Sequence, residues 1–239
     1  MNNDRLFIDI HAIHSVPPSN INRDDTGSPK TALYGGSRRA RVSSQAWKKA
    51  MRDYFRENGG QSNVGVRTLE IVKYVAEKIR KLSSSVSYEE AFKKAESVIK
   101  NANISTKDGR AKALFFLADK QAEELARAAL AGTTDKKELQ NILKNNMAVD
   151  IALFGRMVAD DDKLSEDASC QVAHSISTHA VNTEFDFYTA MDDFAPEDNA
   201  GAGMLGTIEY NSSTLYRYCN IAMHELSKKL KDDQLTRNT

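Results

Sequence analysis

The feature that most constrains the fold is a long helical block in the middle of the chain, enclosed by strand-like segments on both sides. Val75 and Ile79 recur at helical spacing, so this stretch presents one apolar side. Asp135 followed by Glu138 fits a capping box, in which two side chains satisfy the free amides of a first helical turn. The block extends over 64 to about 146. Strands at both ends with helices between them predict an α+β fold.

The same reasoning predicts the other elements along the chain. Alternating or β-branched-rich runs favour strands, whereas long stretches without periodicity favour loops. Strands are expected at 6–14, 149–158, 171–181 and 215–223. Helices are expected from 43, over 88–100, over 108–132 with Asp108 as the cap, and from 224 onward. Irregular segments are expected at 15–36 and 182–213.

Composition excludes several classes of protein. Among 239 residues, 41% hydrophobic and 28% charged residues are globular values, which argues against wholesale disorder. No stretch approaches the roughly 20 apolar residues that span a bilayer, and the first residues lack the pattern of a signal peptide. Cys170 and Cys219 are too few for a disulfide framework. These features predict a cytoplasmic protein with no membrane partner.

The helix expected from Ser43 has an apolar side and a basic side. Ser43 or Ser44 can cap it, because a hydroxyl accepts a hydrogen bond from a free amide of the first turn. At about 100° per residue, the apolar and basic residues fall on different arcs. The apolar arc holds Ala46, Trp47, Ala50, Met51, Tyr54 and Phe55, and the basic arc holds Gln45, Lys48, Lys49, Arg52 and Arg56.

A net charge of +0 argues against a nucleic-acid binder, but this average conceals two segments of opposite charge. Residues 34–56 contain seven basic side chains and one acid, Asp53, a net charge of +6. Residues 158–200 contain eleven acids and one base, Lys163, a net charge of −10. The basic cluster is the footprint of phosphate binding, although a solvated basic surface has the same composition. The acidic segment fits solvation, metal binding or complementarity to the basic face of another copy.

The sequence resembles the CasC family, the CRISPR RNA-binding backbone subunit of the type I-E CRISPR surveillance complex, Cascade. Blocks of the sequence carry this resemblance in order over most of the chain, while the helical block matches only in character. The blocks are NRDD at 22–25, YGGSRRARVSSQ at 34–45, KKAMR at 48–52, VDIALFGRM at 149–157, AHSISTH at 173–179 and LYRY at 215–218.

The resemblance implies a palm with a ferredoxin-like (RRM-like) sheet, a helical fingers insertion and a protruding thumb. The implied palm covers 1–59, 147–182 and 214–239, the fingers 60–146 and the thumb 183–213. Such subunits polymerise head to tail along one CRISPR RNA, and each thumb displaces one guide base at a neighbouring subunit. The implied partners are CRISPR RNA, target DNA paired to the guide, other copies of the chain and other Cascade subunits. Family members also continue beyond residue 239 and add to the palm.

The residues around the basic helix suit a carrier of any guide sequence. Such a carrier reads the RNA backbone with cations, hydroxyls and amides and leaves base edges free. Arg38 and Arg41 supply this chemistry together with the helix residues. The family's RNA-backbone positions fall on Arg23, Ser43, Gln45, Lys48, Lys49 and Arg52.

The family's wedge, which slips beside an unstacked base, falls on Met157. Without the resemblance, a methionine on an apolar predicted strand would be assigned to the core.

The main alternative is metal-dependent RNA cleavage by Asp24 and Asp25. Two carboxylates in a flexible loop beside a basic patch would hold Mg²⁺, and RNA-targeting relatives of this backbone cleave with an aspartate in the corresponding loop. The other interpretation is that both residues shape the loop. Because the DNA-targeting family is not a nuclease, we expect no enzyme activity and no cofactor.

Two further groups of residues have competing interpretations. Cys170, His174 and His179 lack a zinc-binding spacing, so both histidines are expected to be packed or hydrogen-bonded within the palm. Tyr216 and Tyr218 share one face of a strand, where they would stack on bases as RRM aromatics do, or pack in the core. The core role is favoured for these tyrosines.

Overall fold

The computed structural model describes residues 5–58, 64–158, 161–190, 193–194, 204–232 and 235–236. It shows an α+β fold with an antiparallel sheet, as predicted. The strands are β1 Phe7–Ser19, β2 Thr31–Tyr34, β3 Ser37–Val42, β4 Val66–Thr68, β5 Thr106–Lys107, β6 Arg110–Ala111, β7 Phe115–Leu117, β8 Cys170–Val172, β9 Ser175–Ser177, β10 Glu184–Ala190 and β11 Met204–Ala222. The helices are α1 Ser44–Asn58, α2 Ile71–Leu82, α3 Tyr88–Asn101, α4 Asp119–Ala131, α5 Lys136–Lys144, α6 Val149–Phe154 and α7 Met223–Leu230.

Contacts divide the chain into two compact units. The first comprises 1–8, 50–171 and 220–239, and the second comprises 9–49 and 172–219. In the described residues the main sheet has the strand order β1-β11-β9-β3-β2, with β8 and β10 also paired to β11. Two small sheets pair β4 with β7 and β5 with β6.

The core of the first unit lies among α2, α3, α4 and α5. Each helix buries one side, and the alanines among the buried residues let the helices approach closely. Asp135 caps α5 by accepting a 2.8 Å hydrogen bond from the amide of Glu138, which confirms the predicted helix start. The predicted helical block is therefore confirmed in outline.

Two predictions in the first unit are wrong. The segment 149–158 is not a strand, because residues 149–154 form α6, whose first five side chains are all buried. A short buried helix and a buried strand are both mainly apolar, so periodicity alone does not distinguish them. Asp108 does not cap a helix either. It lies in the turn between β5 and β6 with a φ of 51°, and the helix begins at Asp119 instead.

The core of the second unit lies on one face of its sheet. Ala40, Val42 and Leu215 are buried there, and Trp47 of α1 packs against them. The guanidinium of Arg217 lies 3.7 Å above the Trp47 ring, a cation–π contact on the same side. Tyr216 alternates with Leu215 along β11 and so points to the opposite face. The prediction that Tyr216 and Tyr218 pack in the core is therefore wrong.

The segments of the second unit that were predicted to be irregular contain several strands. β1 continues to Ser19, β2 occupies 31–34, and β10 pairs with β11 from Glu184↔Tyr210 to Ala190↔Met204. Every residue of β10 is exposed, so this hairpin has no buried face to impose an alternating pattern on the sequence. The strand predicted at 171–181 is present as β8 and β9, and the strand and helix predicted near the end are confirmed as β11 and α7.

Candidate nucleic-acid interface

The start of α1 is fixed by a loop that precedes it in the chain. The Ser43 side-chain oxygen accepts a hydrogen bond from the amide of Ala46 at 3.2 Å, so Ser43 caps the helix as predicted. The Ser43 amide in turn donates to Oδ1 of Asn22 at 2.9 Å. This bond holds the segment that carries Arg23 at the helix start. Ser43 itself is buried, and its contact with RNA stays a prediction.

Two histidines that were expected to be structural make hydrogen bonds within the second unit. Nδ1 of His174 accepts from the amide of Ser44 at 2.9 Å, next to the Ser43 cap. Nε2 of His179 accepts from the amide of Thr214 at 3.1 Å. The prediction that these histidines are hydrogen-bonded is confirmed.

The predicted basic residues are only partly presented to solvent. Gln45 and Lys49 are exposed on α1, Lys48 is half-buried, and Arg38 is exposed on β3. Arg41 is half-buried, and its Nε donates to the carbonyl of Thr31 at 3.2 Å. A cation tied through one nitrogen keeps its charge and its other donors, so these residues retain the chemistry of backbone recognition.

Arg52 is held within the first unit. Its Nε donates to Oδ2 of the buried Asp150 at 2.8 Å, and its Nη2 donates to the carbonyl of Gly65 at 3.1 Å. The guanidinium also lies 4.3 Å from the centre of the Phe116 ring. Asp150 balances the charge of Arg52, so this residue adds little to the positive field of α1. Its contact with RNA stays a prediction.

Asp24 organises the loop between β1 and β2. Its Oδ1 accepts hydrogen bonds from the amide and hydroxyl of Thr26, at 2.9 and 2.7 Å, and from the amide of Ser28 at 3.1 Å. The Thr26 hydroxyl makes the largest contribution to lowering the pKa of Asp24, because these bonds stabilise the carboxylate. These hydrogen bonds agree with the interpretation that Asp24 shapes the loop. Within the residues that the structure describes, no group of three His, Cys, Asp or Glu side chains could hold a metal ion.

Met157 projects from a rigid turn in the first unit. Its side chain is 88% exposed, so the core assignment made without the resemblance is wrong. Gly155 has a φ of +77°, and a Cβ there would lie 2.7 Å from the carbonyl oxygen of Glu166. Arg156 and Glu166 exchange backbone hydrogen bonds of 2.9 and 2.7 Å. An unbranched apolar side chain is thereby presented to solvent on a constrained backbone.

Arg156 anchors this turn and was missed by sequence reasoning. It is 4% exposed, and its guanidinium donates to the carbonyl oxygens of Leu164 at 3.0 Å, Phe116 at 3.2 Å and Leu143 at 2.9 Å. Burial lowers the pKa of Arg156 to about 10, which still leaves it charged at neutral pH. A charged residue inside an apolar run was the available signal, since such residues are buried only when their donors are satisfied.

The hairpin of β10 and β11 presents apolar side chains to solvent. Paired residues of antiparallel strands share a face, so Phe185, Phe187 and Leu205 lie on one side of the hairpin. All three are exposed. The predicted acidic segment lies partly here, with Glu184 and Asp186 on the other side, while residues 191–192 and 195–203 lie outside the described residues. An exposed apolar face on a hairpin is typical of a surface that contacts another molecule.

Comparisons with known proteins place the chain in a family. A family model described as CT1975-like protein matches residues 8–239. The chain belongs to the CT1975-like protein family. No curated protein matches it. No helix in the described part of the chain is long and apolar enough to cross a membrane.

Two solved structures resemble this CT1975-like protein over nearly its whole length. One is a chain of a structure titled "CRISPR RNA-guided surveillance complex, pre-nicking", with 33% identity and a TM-score of 0.84, covering 98% of this chain and 69% of that one. The other, titled "CRISPR RNA-guided surveillance complex", has 29% identity and a TM-score of 0.72, covering 98% and 68%. The expected membership in a CRISPR-associated family is confirmed.

Proposed function

We propose that this chain is the CRISPR RNA-binding backbone subunit of a type I-E Cascade surveillance complex in the cytoplasm. In this role copies polymerise along one guide RNA, kink it at regular intervals and present its bases for pairing with target DNA in antiviral defence. Other Cascade subunits complete the assembly. The observation that carries the proposal is the match of 98% of the chain, at a TM-score of 0.84, to a chain of a CRISPR RNA-guided surveillance complex.

The chemistry at the start of α1 supports binding to the RNA backbone. Lys48, Lys49, Gln45 and Arg38 offer cations and amide donors beside a helix N-terminus, where the helix dipole favours a phosphate. These donors do not distinguish bases, so the guide can have any sequence. The bases then stay available to pair with DNA, which is what a guide carrier requires.

The exposed Met157 and the β10–β11 hairpin support regular kinking. A flexible thioether side chain that is 88% exposed can fill the space beside a displaced base. The hairpin supplies an apolar face suited to a neighbouring copy. One such pair of features in each subunit would give one displaced base per subunit, so the spacing of the kinks would equal the length of RNA that each copy covers.

A double substitution tests the backbone contact. Lys48→Ala with Lys49→Ala should weaken binding of single-stranded RNA about equally for all sequences and reduce the salt dependence of affinity, because each lost phosphate contact removes one released counterion. The matched control is Lys93→Ala with Lys94→Ala, an adjacent pair on α3. Fluorescence anisotropy at several salt concentrations measures both. Equal affinities for the Lys48/Lys49 variant and the unsubstituted chain would refute the assignment.

The competing function, RNA cleavage with Asp24 and Asp25, has a separate test. We propose that the chain is not an enzyme, in agreement with the three hydrogen bonds that engage Oδ1 of Asp24. RNA complementary to the guide should stay intact when incubated with Mg²⁺ and the RNA-loaded protein. Cleavage that is lost on Asp24→Ala with Asp25→Ala would overturn the proposal in favour of a metal-dependent endoribonuclease.

A further inference from the structure

The face of the main sheet opposite its core carries a row of side chains of which the proposed function uses only Arg41. Strand register places Tyr216 of β11 opposite Ile176 of β9, and Ile176 opposite Arg41 of β3. Residues paired in this way share a face, so the three form a line across the sheet. His11 of β1 extends this line, because its Nδ1 lies 2.7 Å from the hydroxyl of Tyr216.

This row is accessible to solvent. Tyr216 is 39% exposed, His11 is exposed, and Ile176 and Arg41 are half-buried. The buried partners along the same strands, Leu215, Ser175 and Val42, alternate with them and point to the other face. The row therefore lies on the open side of the sheet, within the second unit.

Hydrogen bonds hold the aromatic rings of the row in place. The Tyr216 hydroxyl is bound to His11, and the Tyr218 hydroxyl donates to Oδ1 of Asp9 at 2.6 Å. His11 lies against both tyrosine rings, with ring centres 6.1 and 5.0 Å apart. Because their polar ends already have partners, the rings can contact a ligand through their faces without leaving a hydroxyl unsatisfied.

The chemistry of the face favours single-stranded RNA as its occupant. Arg41 ends the row, and Arg39 lies two residues earlier on the same face, with its guanidinium 5.9 Å from the centre of the exposed Tyr34 ring. Asp9, the acid on this side of β1, accepts the hydrogen bond from Tyr218. Aromatic rings beside cations bind unpaired nucleic acid, since bases stack on the rings and phosphates pair with the cations.

We propose that this face is a second RNA site, at which an unpaired base stacks on Tyr216 and Arg41 holds the adjoining phosphate. The inference rests on the proposed function only in that the chain binds RNA. The site differs from the Lys48 and Lys49 contacts because it includes a base stacked on Tyr216, whereas those lysines contact phosphates alone.

A pair of probes separates the two kinds of contact. One is a 12-nucleotide single-stranded RNA, and the other is the same RNA with its central bases replaced by abasic sites. Tyr216→Leu should weaken binding of the complete RNA about tenfold, the size of one lost stacking contact, and leave binding of the abasic probe unchanged. Tyr216→Phe keeps the ring and should bind both probes as the unsubstituted chain does. Tyr88→Leu, at a similarly exposed tyrosine on α3, is the matched control.

The outcomes distinguish failure of this site from failure of the proposed function. Lys48→Ala with Lys49→Ala should weaken both probes, and no effect of that change would contradict the backbone contact alone. An unchanged affinity of Tyr216→Leu for the complete RNA, or an equal loss on both probes, would overturn the stacking site.

A second measurement needs no variant, and so holds even if Tyr216→Leu fails to fold. Ultraviolet cross-linking of RNA containing 4-thiouridine should place adducts on the β11 peptide that carries Tyr216 and Tyr218. Adducts confined to the peptides of α1 would overturn the proposal.

Discussion

The helical block of the first unit and the β10–β11 hairpin of the second use the same kinds of apolar residue in opposite ways. Leu125 and Ile79 are fully buried in the helical core, whereas Leu205 and Phe187 are exposed on the hairpin. Burying one such side chain stabilises a fold by about 1.5–3 kcal/mol, and an exposed one contributes nothing until another molecule covers it. The difference shows that one part of the apolar content serves folding and another part is available for association.

The largest expected effect is on the helical core. Leu125→Ala should lower the free energy of unfolding by about 4 kcal/mol, because it removes buried contacts and leaves a cavity. Urea denaturation followed by circular dichroism of the helices measures this change. Leu205→Ala, the same substitution on the hairpin, should change the value by less than about 0.5 kcal/mol. Similar losses for the two variants would contradict the comparison.

The next largest effect on stability is expected at Arg156. This buried residue precedes the exposed Met157 in the sequence. Arg156→Met should lower the free energy of unfolding by about 2 kcal/mol, since it removes donors from buried carbonyl oxygens. Arg127→Met on α4, where the arginine pairs with Glu123 at the surface, should cost less than about 0.5 kcal/mol. Urea denaturation checks both. No difference between the two variants would mean that the buried hydrogen bonds add no net stability.

The same two regions show how much of the fold could be predicted from the sequence. Helical spacing located the core of α2, and the capping pattern at Asp135 located the start of α5, because both signals are local. The assignment of 149–158 failed because the first five residues of α6 are all buried, Asp150 included, so the helix shows no alternation of polar and apolar faces. Strand β10 was missed for the opposite reason, since all of its residues are exposed and no alternation results.

Some features of the candidate site could likewise be predicted from the sequence, and others could not. The cap at Ser43 and the exposure of Lys49 followed from local helical geometry, and so could be predicted. The pairing of Arg52 with Asp150, 98 positions later, depends on tertiary structure, which no local spacing reveals. The open row through Tyr216 likewise depends on the register of β11, β9 and β3.

A smaller effect on the free energy of unfolding is expected at Asp119 of α4, and this effect should depend on pH. Burial opposes ionisation of Asp119, but hydrogen bonds from Lys78 and Tyr74 outweigh it and lower its pKa. A carboxylate with a lowered folded-state pKa stabilises the fold above its unfolded-state pKa of about 3.9, and this stabilisation is lost as the pH falls through the folded-state value.

Asp119→Asn should therefore cost about 1 kcal/mol at pH 7, a value reduced for partial exposure, and the cost should vanish at low pH. Urea denaturation at a series of pH values checks this expectation. A difference between Asp119→Asn and the unsubstituted chain that persists below the folded-state pKa would contradict it.

The smallest effect on stability, and the most informative for assembly, is expected at Phe187. Phe187→Ser should leave the free energy of unfolding within about 0.5 kcal/mol, because the ring is already in contact with water. If the hairpin face contacts a neighbouring copy, the same change should shorten the assemblies that form on long RNA, as measured by sedimentation and electron micrographs. Glu184→Ser, on the opposite face of the same strand, is the control and should leave assembly length unchanged. Assemblies of full length with Phe187→Ser would contradict a role of this face in self-assembly.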